Sequence, residues 1–200
     1  MPMTEDSLLL ASRSPRRREL LDQIGVSYQV AAADVDESVL PGESPEDYVV
    51  RLAQHKACVV FAQYGERLPA LAADTTVVLG NQILGKPVDR VDGMRMLLAL
   101  SGRTHRVLTA VALRHRSGMP YFLSVSEVTF ATLTPQLCEQ YWNTGEPADK
   151  AGGYAVQGLG ALFITGISGS YTGIMGLPLY ETGQLLGHAG ICHTLRPGKL

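Results

Sequence analysis

Apolar positions along this chain alternate between the two-residue rhythm of strands and the three-to-four-residue rhythm of helices, and the switches mark out the elements. Leu8 to Ala11 is a short apolar run that predicts a buried strand, followed by a turn and a helix from about Pro15 to Gln23. Ser27 to Ala33 predicts a second strand. Ser44, Pro45 and Glu46 then open a long helix, with Ser44 as N-cap and Pro45 at the first helical position. Val49, Leu52, Ala53 and Val60 recur along one face of it. Leu71 to Leu79 predicts a central strand that turns at Gly80-Asn81-Gln82 into Ile83 and Leu84. An amphipathic helix over Val91 to Leu100 ends at Gly102, and Val107 to Leu113 with Tyr121 to Ala131 reads as a hairpin. Thr134 and Pro135 start a helix carrying Tyr141 and Trp142, and Pro178 to Leu186 reads as a closing helix. This alternation predicts an α/β fold, a mixed sheet with flanking helices.

One segment departs from these rhythms. Ala151 to Tyr180 is thirty residues without a charged side chain, long enough to span a bilayer. It carries eight glycines, with Gln157, Thr165, Ser168, Ser170 and Thr172 at short intervals. Such interruptions suit buried strands and turns rather than a lipid-facing helix, so no membrane is expected as partner. Repeats, low-complexity tracts and linkers are absent, so a single domain is expected over 1–200.

Composition narrows the function without naming it. Of the residues, 46% are hydrophobic and 18% charged, and the net charge is −2, so nothing global favours a nucleic acid polymer or an anionic surface. Any anion site must be assembled locally. Cys58, Cys138 and Cys192 make no metal or redox spacing, and the short apolar N-terminal run lacks a signal peptide's form, which together suit a reducing compartment. The five histidines show no HExxH spacing and no GxSxG is present.

Four places could carry chemistry. Ser12-Arg13-Ser14-Pro15-Arg16-Arg17-Arg18 joins a strand to a helix N-terminus, where backbone N–H groups favour an anion and guanidinium forks suit phosphate. A solvated basic turn is the plain alternative. Lys56 falls on the apolar stripe of the long helix, so it either snorkels to water or faces an anionic site. Asp74 interrupts an apolar strand run, where a carboxylate could hold a metal, accept a proton from water, or serve as a structural cap. Asp34-Val35-Asp36-Glu37 follows the second strand, with Asp34 and Asp36 on one side and Glu37 pointing elsewhere if the strand persists; an exposed acidic loop is the simpler reading. Gly80 to Lys86 matches GxxxxGK, but Pro87 replaces the Ser or Thr of a P-loop, so only Lys86 is retained as an anion contact.

With these residues in view, the sequence resembles the Maf family of nucleoside triphosphate pyrophosphatases, from Leu8 to about Leu186. The resemblance is carried by LASRSPRRRELL, EDYVVRLAQHKA, AADTTV, GKPVD, LSGRTHRVLTAVAL, DKAGGYAVQGLG and GSYTGIMGLPL in that order. It implies a cytoplasmic, often dimeric protein of two lobes around an active-site cleft, which cleaves between the α and β phosphates with the help of Mg2+ or Mn2+. Asp74 would then be the proton acceptor, and Ser12, Arg16, Arg17, Lys56 and Lys86 the phosphate binders. Glu37 would position metal or water with Asp74. Arg16, Thr75 and Gln157 would discriminate the base and point to the branch that prefers dTTP and UTP. Arg13, and Ser168-Gly169, depart from the usual pattern. The tail beyond about Ala189, with Cys192 and His193, is outside the resemblance and expected to fray. The rival reading is a nucleotide-binding regulator of cell division with little turnover.

Overall fold

The computed structural model describes residues 7–32, 34–191 and 194. Seven strands form a mixed sheet in the order β2-β1-β3-β5-β6-β7, with β4 paired to β3. They are β1 (Leu9–Leu10), β2 (Gln29–Val30), β3 (Ala70–Leu79), β4 (Gln82–Leu84), β5 (Thr104–Arg114), β6 (Tyr121–Phe130) and β7 (Ile164–Ser168). The helices are α1 (Pro15–Gln23), α2 (Pro45–Gln63), α3 (Arg90–Leu100), α4 (Pro135–Trp142), α5 (Tyr171–Met175) and α6 (Leu179–His188). β1 runs parallel to both β2 and β3, while β3 with β4 and β6 with β7 are antiparallel. None of the described helices is long and apolar enough to cross a membrane.

The chain divides into two compact units, residues 1–74, 109–123 and 176–200, and residues 75–108 and 124–175. In the first, Leu8, Leu9 and Leu10 of the β1 segment, Leu21 of α1, Val49, Leu52 and Ala53 of α2, and Leu71 of β3 are all fully buried. α2 starts where its capping signals put it. Ser44 Oγ accepts the Asp47 N–H at 3.1 Å, Pro45 fills the first turn, and Glu46 and Asp47 complement the helix dipole. The apolar cluster of the second unit gathers Val77, Leu84, Met96, Leu97, Leu100, Val107, Phe130, Tyr141, Tyr154 and Phe163. Asp89 and Thr134 cap α3 and α4 there, accepting from Asp92 N–H at 2.8 Å and Leu137 N–H at 3.2 Å.

Two expectations need correction. The second strand is only Gln29–Val30, because both its residues are exposed and no apolar alternation sustains it further; Ala33 lies outside the described residues. The glycine-rich segment holds 3-10 turns at Ala151–Gly153 and Leu159–Phe163, then the largely exposed β7 and the short α5, rather than a set of buried strands. Of the tail beyond Ala189, residues 190, 191 and 194 are described. Ile191 is buried and donates to Leu186 O at 2.9 Å, and the Thr194 N–H donates to Ile24 O at 2.8 Å. Cys192 and His193 lie outside the described residues.

Candidate active site

The site is built first by the turn that leaves β1. Ser12 is buried at its head, and its hydroxyl oxygen accepts the Ser14 N–H at 3.2 Å and an Arg17 guanidinium N–H at 3.1 Å. Pro15 at the start of α1 lacks an N–H, and Ser14 makes no side-chain cap, so the turn relies on Ser12 for its polar order. Arg17 also donates through Nε to Gly176 O at 2.7 Å, which ties its stem to the start of the C-terminal segment. Burial pulls the Arg17 guanidinium below its ordinary value, Asp74 opposes that fall, Arg16 adds to it and Glu37 opposes it. Arg16 and Arg17 are both half-buried.

Lys56 occupies the middle. It is 9% exposed, and its Nζ lies 2.7 Å from Asp74 Oδ1 and 2.6 Å from Glu37 Oε1. The stripe position of Lys56 is thereby explained: the side chain faces an anionic site instead of snorkelling. Asp74 is 8% exposed on β3. Burial raises its proton affinity above that of an ordinary carboxyl, against the lowering effects of Lys56 and Arg17.

Glu37 reaches Lys56 because residues 34–40 are irregular, so strand alternation does not govern it. Two residues that sequence reasoning passed over hold its loop against α2. Tyr48 Oη donates to Glu37 O at 3.0 Å, and Arg51 donates to Ser38 O at 2.9 Å and to Glu43 at 2.5 and 2.8 Å. Those bonds from Arg51 bring the Glu43 carboxyl down to about 2. The Tyr48 hydroxyl is pushed up to about 12 by burial, then by the nearby charges of Asp74 and Glu37. The available signal was spacing: Tyr48 precedes Lys56 by eight residues, near two helical turns. The other acids of the loop do not join the cluster. Asp34 pairs with Arg13 at 3.2 Å with both side chains well exposed, and Asp36 accepts from Ser38.

The remaining sequence-predicted residues belong to the second unit. Lys86 is exposed on the loop after β4, whose strand geometry at Ile83 and Leu84 excludes a P-loop. Thr75 follows Asp74 and is half-buried, and Gln157 is exposed in a turn. Among the described residues no three His, Cys, Asp or Glu side chains gather as a metal-binding group. Glu37 and Asp74, joined through Lys56 Nζ, are the two carboxylates here that could hold a divalent ion.

The first unit thus brings Ser12, Arg17, Lys56, Glu37 and Asp74 into one linked cluster, in which a shielded carboxylate of raised proton affinity sits among cations. A family model described as Maf-like protein matches residues 7–189. A dTTP/UTP pyrophosphatase of Pseudoalteromonas atlantica is 51% identical over 189 residues, covering 93% of this chain and 98% of that protein. The dTTP/UTP pyrophosphatase of Saccharophagus degradans is 53% identical over 182 residues, covering 90% of this chain and 87% of its own length. A third, from Cupriavidus pinatubonensis, is 51% identical over 194 residues, covering 92% and 97%. The chain belongs to the Maf-like protein family.

Proposed function

We propose that this protein is a nucleoside triphosphate pyrophosphatase, releasing pyrophosphate and a nucleoside monophosphate, with dTTP and UTP preferred. The observation that carries the reading is Asp74, a buried carboxylate of raised proton affinity held 2.7 Å from Lys56. A regulator that only bound nucleotide would have no need of such a group. The names of relatives about half identical over nearly the full chain support the substrate class.

In the reaction, water attacks the α phosphorus, the bond from that phosphorus to the oxygen bridging to the β phosphorus breaks, and pyrophosphate leaves. Asp74 takes the proton from the attacking water, a task favoured when its pKa is moved toward the working pH. Arg16, Arg17 and Lys56 stabilise charge gathering on the phosphates, with Ser12 donating a hydrogen bond, and cations placed in advance of the reaction lower its barrier most effectively. From the second unit the family resemblance adds Lys86 to the phosphate binders, and Thr75 and Gln157, with Arg16, to the readers of the base. Glu37 and Asp74 would hold a magnesium or manganese ion, which supplies further charge neutralisation on the phosphates. Work in the cytoplasm as a homodimer is part of the same proposal, and rests on the resemblance alone.

Phosphorus NMR of the first products tests the reading. Monophosphate and pyrophosphate are expected from dTTP in the presence of magnesium; diphosphate and orthophosphate would overturn it.

A further inference from the structure

Gln157 stands exposed in a turn that runs from buried Ala155 to half-buried Gly158. The Gly158 N–H donates to Ala155 O at 3.3 Å, which closes the turn with Val156 and Gln157 at its centre. Just before Gln157, the Ala155 N–H donates to Tyr141 Oη at 3.1 Å. Just after it, the Leu159 N–H donates to Glu146 Oε2 and the Gly160 N–H to Glu146 Oε1, each at 3.0 Å. The Tyr141 hydroxyl in turn donates to Glu146 Oε1 at 2.6 Å. Two side chains therefore grip both flanks of one residue, and they also grip each other.

The glycines of the segment follow from that grip. A Cβ at Gly158 would run into the Glu146 carboxylate, and one at Gly160 would stand 2.7 Å from Ala155 O and 2.8 Å from Tyr141 Oη. Burial works to raise the Glu146 carboxyl, but the Tyr141 hydroxyl and the two backbone N–H groups outweigh it and hold it below the ordinary value. A carboxylate accepting three hydrogen bonds is an acceptor with no donor of its own, which is what three converging donors require.

We propose that Tyr141 and Glu146 are positioning residues for base selection, a clamp that fixes the 155–158 turn and so aims Gln157. The inference rests on the reading of Gln157 as a base-discriminating residue. Glu146→Gln is nearly isosteric, yet either placement of its amide turns an NH2 toward a backbone N–H. Tyr141→Phe keeps the ring and leaves the Ala155 N–H without its acceptor. Neither residue is placed at the phosphates, so the hydrolytic step should be spared.

The experiment measures kcat/KM for dTTP and for GTP in wild type, Gln157→Ala, Glu146→Gln, Tyr141→Phe and the Gln157→Ala/Glu146→Gln double variant, with a urea melt of each. The expected result is a fall of about tenfold or more in the dTTP-to-GTP ratio for each single variant, in line with the loss of a hydrogen-bonded discrimination. The change should sit mainly in KM for dTTP, and the double variant should be no worse than Gln157→Ala alone. If Gln157→Ala lowers the ratio while Glu146→Gln and Tyr141→Phe only lower stability, the clamp is overturned and the reading of Gln157 stands. Additive losses in the double variant overturn it too, because the two residues would then act separately. An unchanged ratio in Gln157→Ala overturns the reading of Gln157, and the clamp's role in selection with it.

Discussion

Replacing Lys56 by Met tests the linkage at the centre of the site most directly, because it removes one charge and keeps an unbranched apolar stem. Lys56 Nζ lies 2.7 Å from Asp74 Oδ1, and both side chains are only 11% exposed, so water screens the pair little. Glu37, with 54% of its side chain exposed, is discounted as a contributor. An opposite charge this close lowers a carboxyl by about 1–3 units. Removing the Lys56 charge therefore raises the Asp74 carboxyl further, with Arg17 still present to limit the change, and leaving a buried charge without its partner costs about 3 kcal/mol. Asp74 already binds its proton more tightly folded than unfolded, and the variant binds it more tightly still. For a carboxyl with a raised folded value, stability is fully present below the unfolded value and is lost as pH rises through the folded one. The variant's deficit should therefore be small near pH 4 and grow toward about 3 kcal/mol once the variant's Asp74 has ionised beside no lysine. Urea melts of wild type and variant at half-unit pH steps measure the deficit. The acid limb of kcat/KM should move to higher pH in parallel, because the base is lost at a higher pH. A deficit that is the same at every pH, together with an unmoved acid limb, would refute the coupling of Lys56 to Asp74.

Two further outcomes follow from single residues. Asp74→Asn should cut kcat by about 10²–10⁴ while a non-hydrolysable triphosphate still binds and the urea midpoint stays near wild type; near-normal turnover would remove Asp74 from the mechanism. His105, 2% exposed and hydrogen-bonded to Tyr154 Oη at 2.8 Å, is lowered to about 4 by burial. Its folded value lies below its unfolded one, so stability is lost as pH falls from about 6.5 toward 4, by up to about 3 kcal/mol. His105→Gln should shrink the loss of stability between pH 7 and pH 4.5, and a variant that loses as much as wild type would refute the assignment.

The parts of this protein legible in the sequence are those governed by neighbours a few residues away. Ser44-Pro45 and Thr134-Pro135 announce the starts of α2 and α4 because a cap bonds an N–H three residues on, a distance the sequence itself displays. Lys56 and Asp74 were conspicuous as charges within apolar periodicity, and the basic turn after β1 as cations at a helix N-terminus. Which reading of each was right depended on partners that periodicity does not register. By spacing alone Lys56 fitted snorkelling slightly better, until the fold set it against Asp74, eighteen residues on, and Glu37, nineteen before. Glu37 was turned away by strand alternation, and Tyr48 and Arg51 of α2, fixing an irregular loop, help bring it back. Tyr141 and Glu146 gave no local sign of gripping Ala155, Leu159 and Gly160, because such bonds depend on where a buried acceptor ends up. Dihedral preference and burial period act along the chain over one or two turns, and they determine which elements form. The choice of partner for a buried charge is made where separate segments exclude water together, and that is decided only by the tertiary structure.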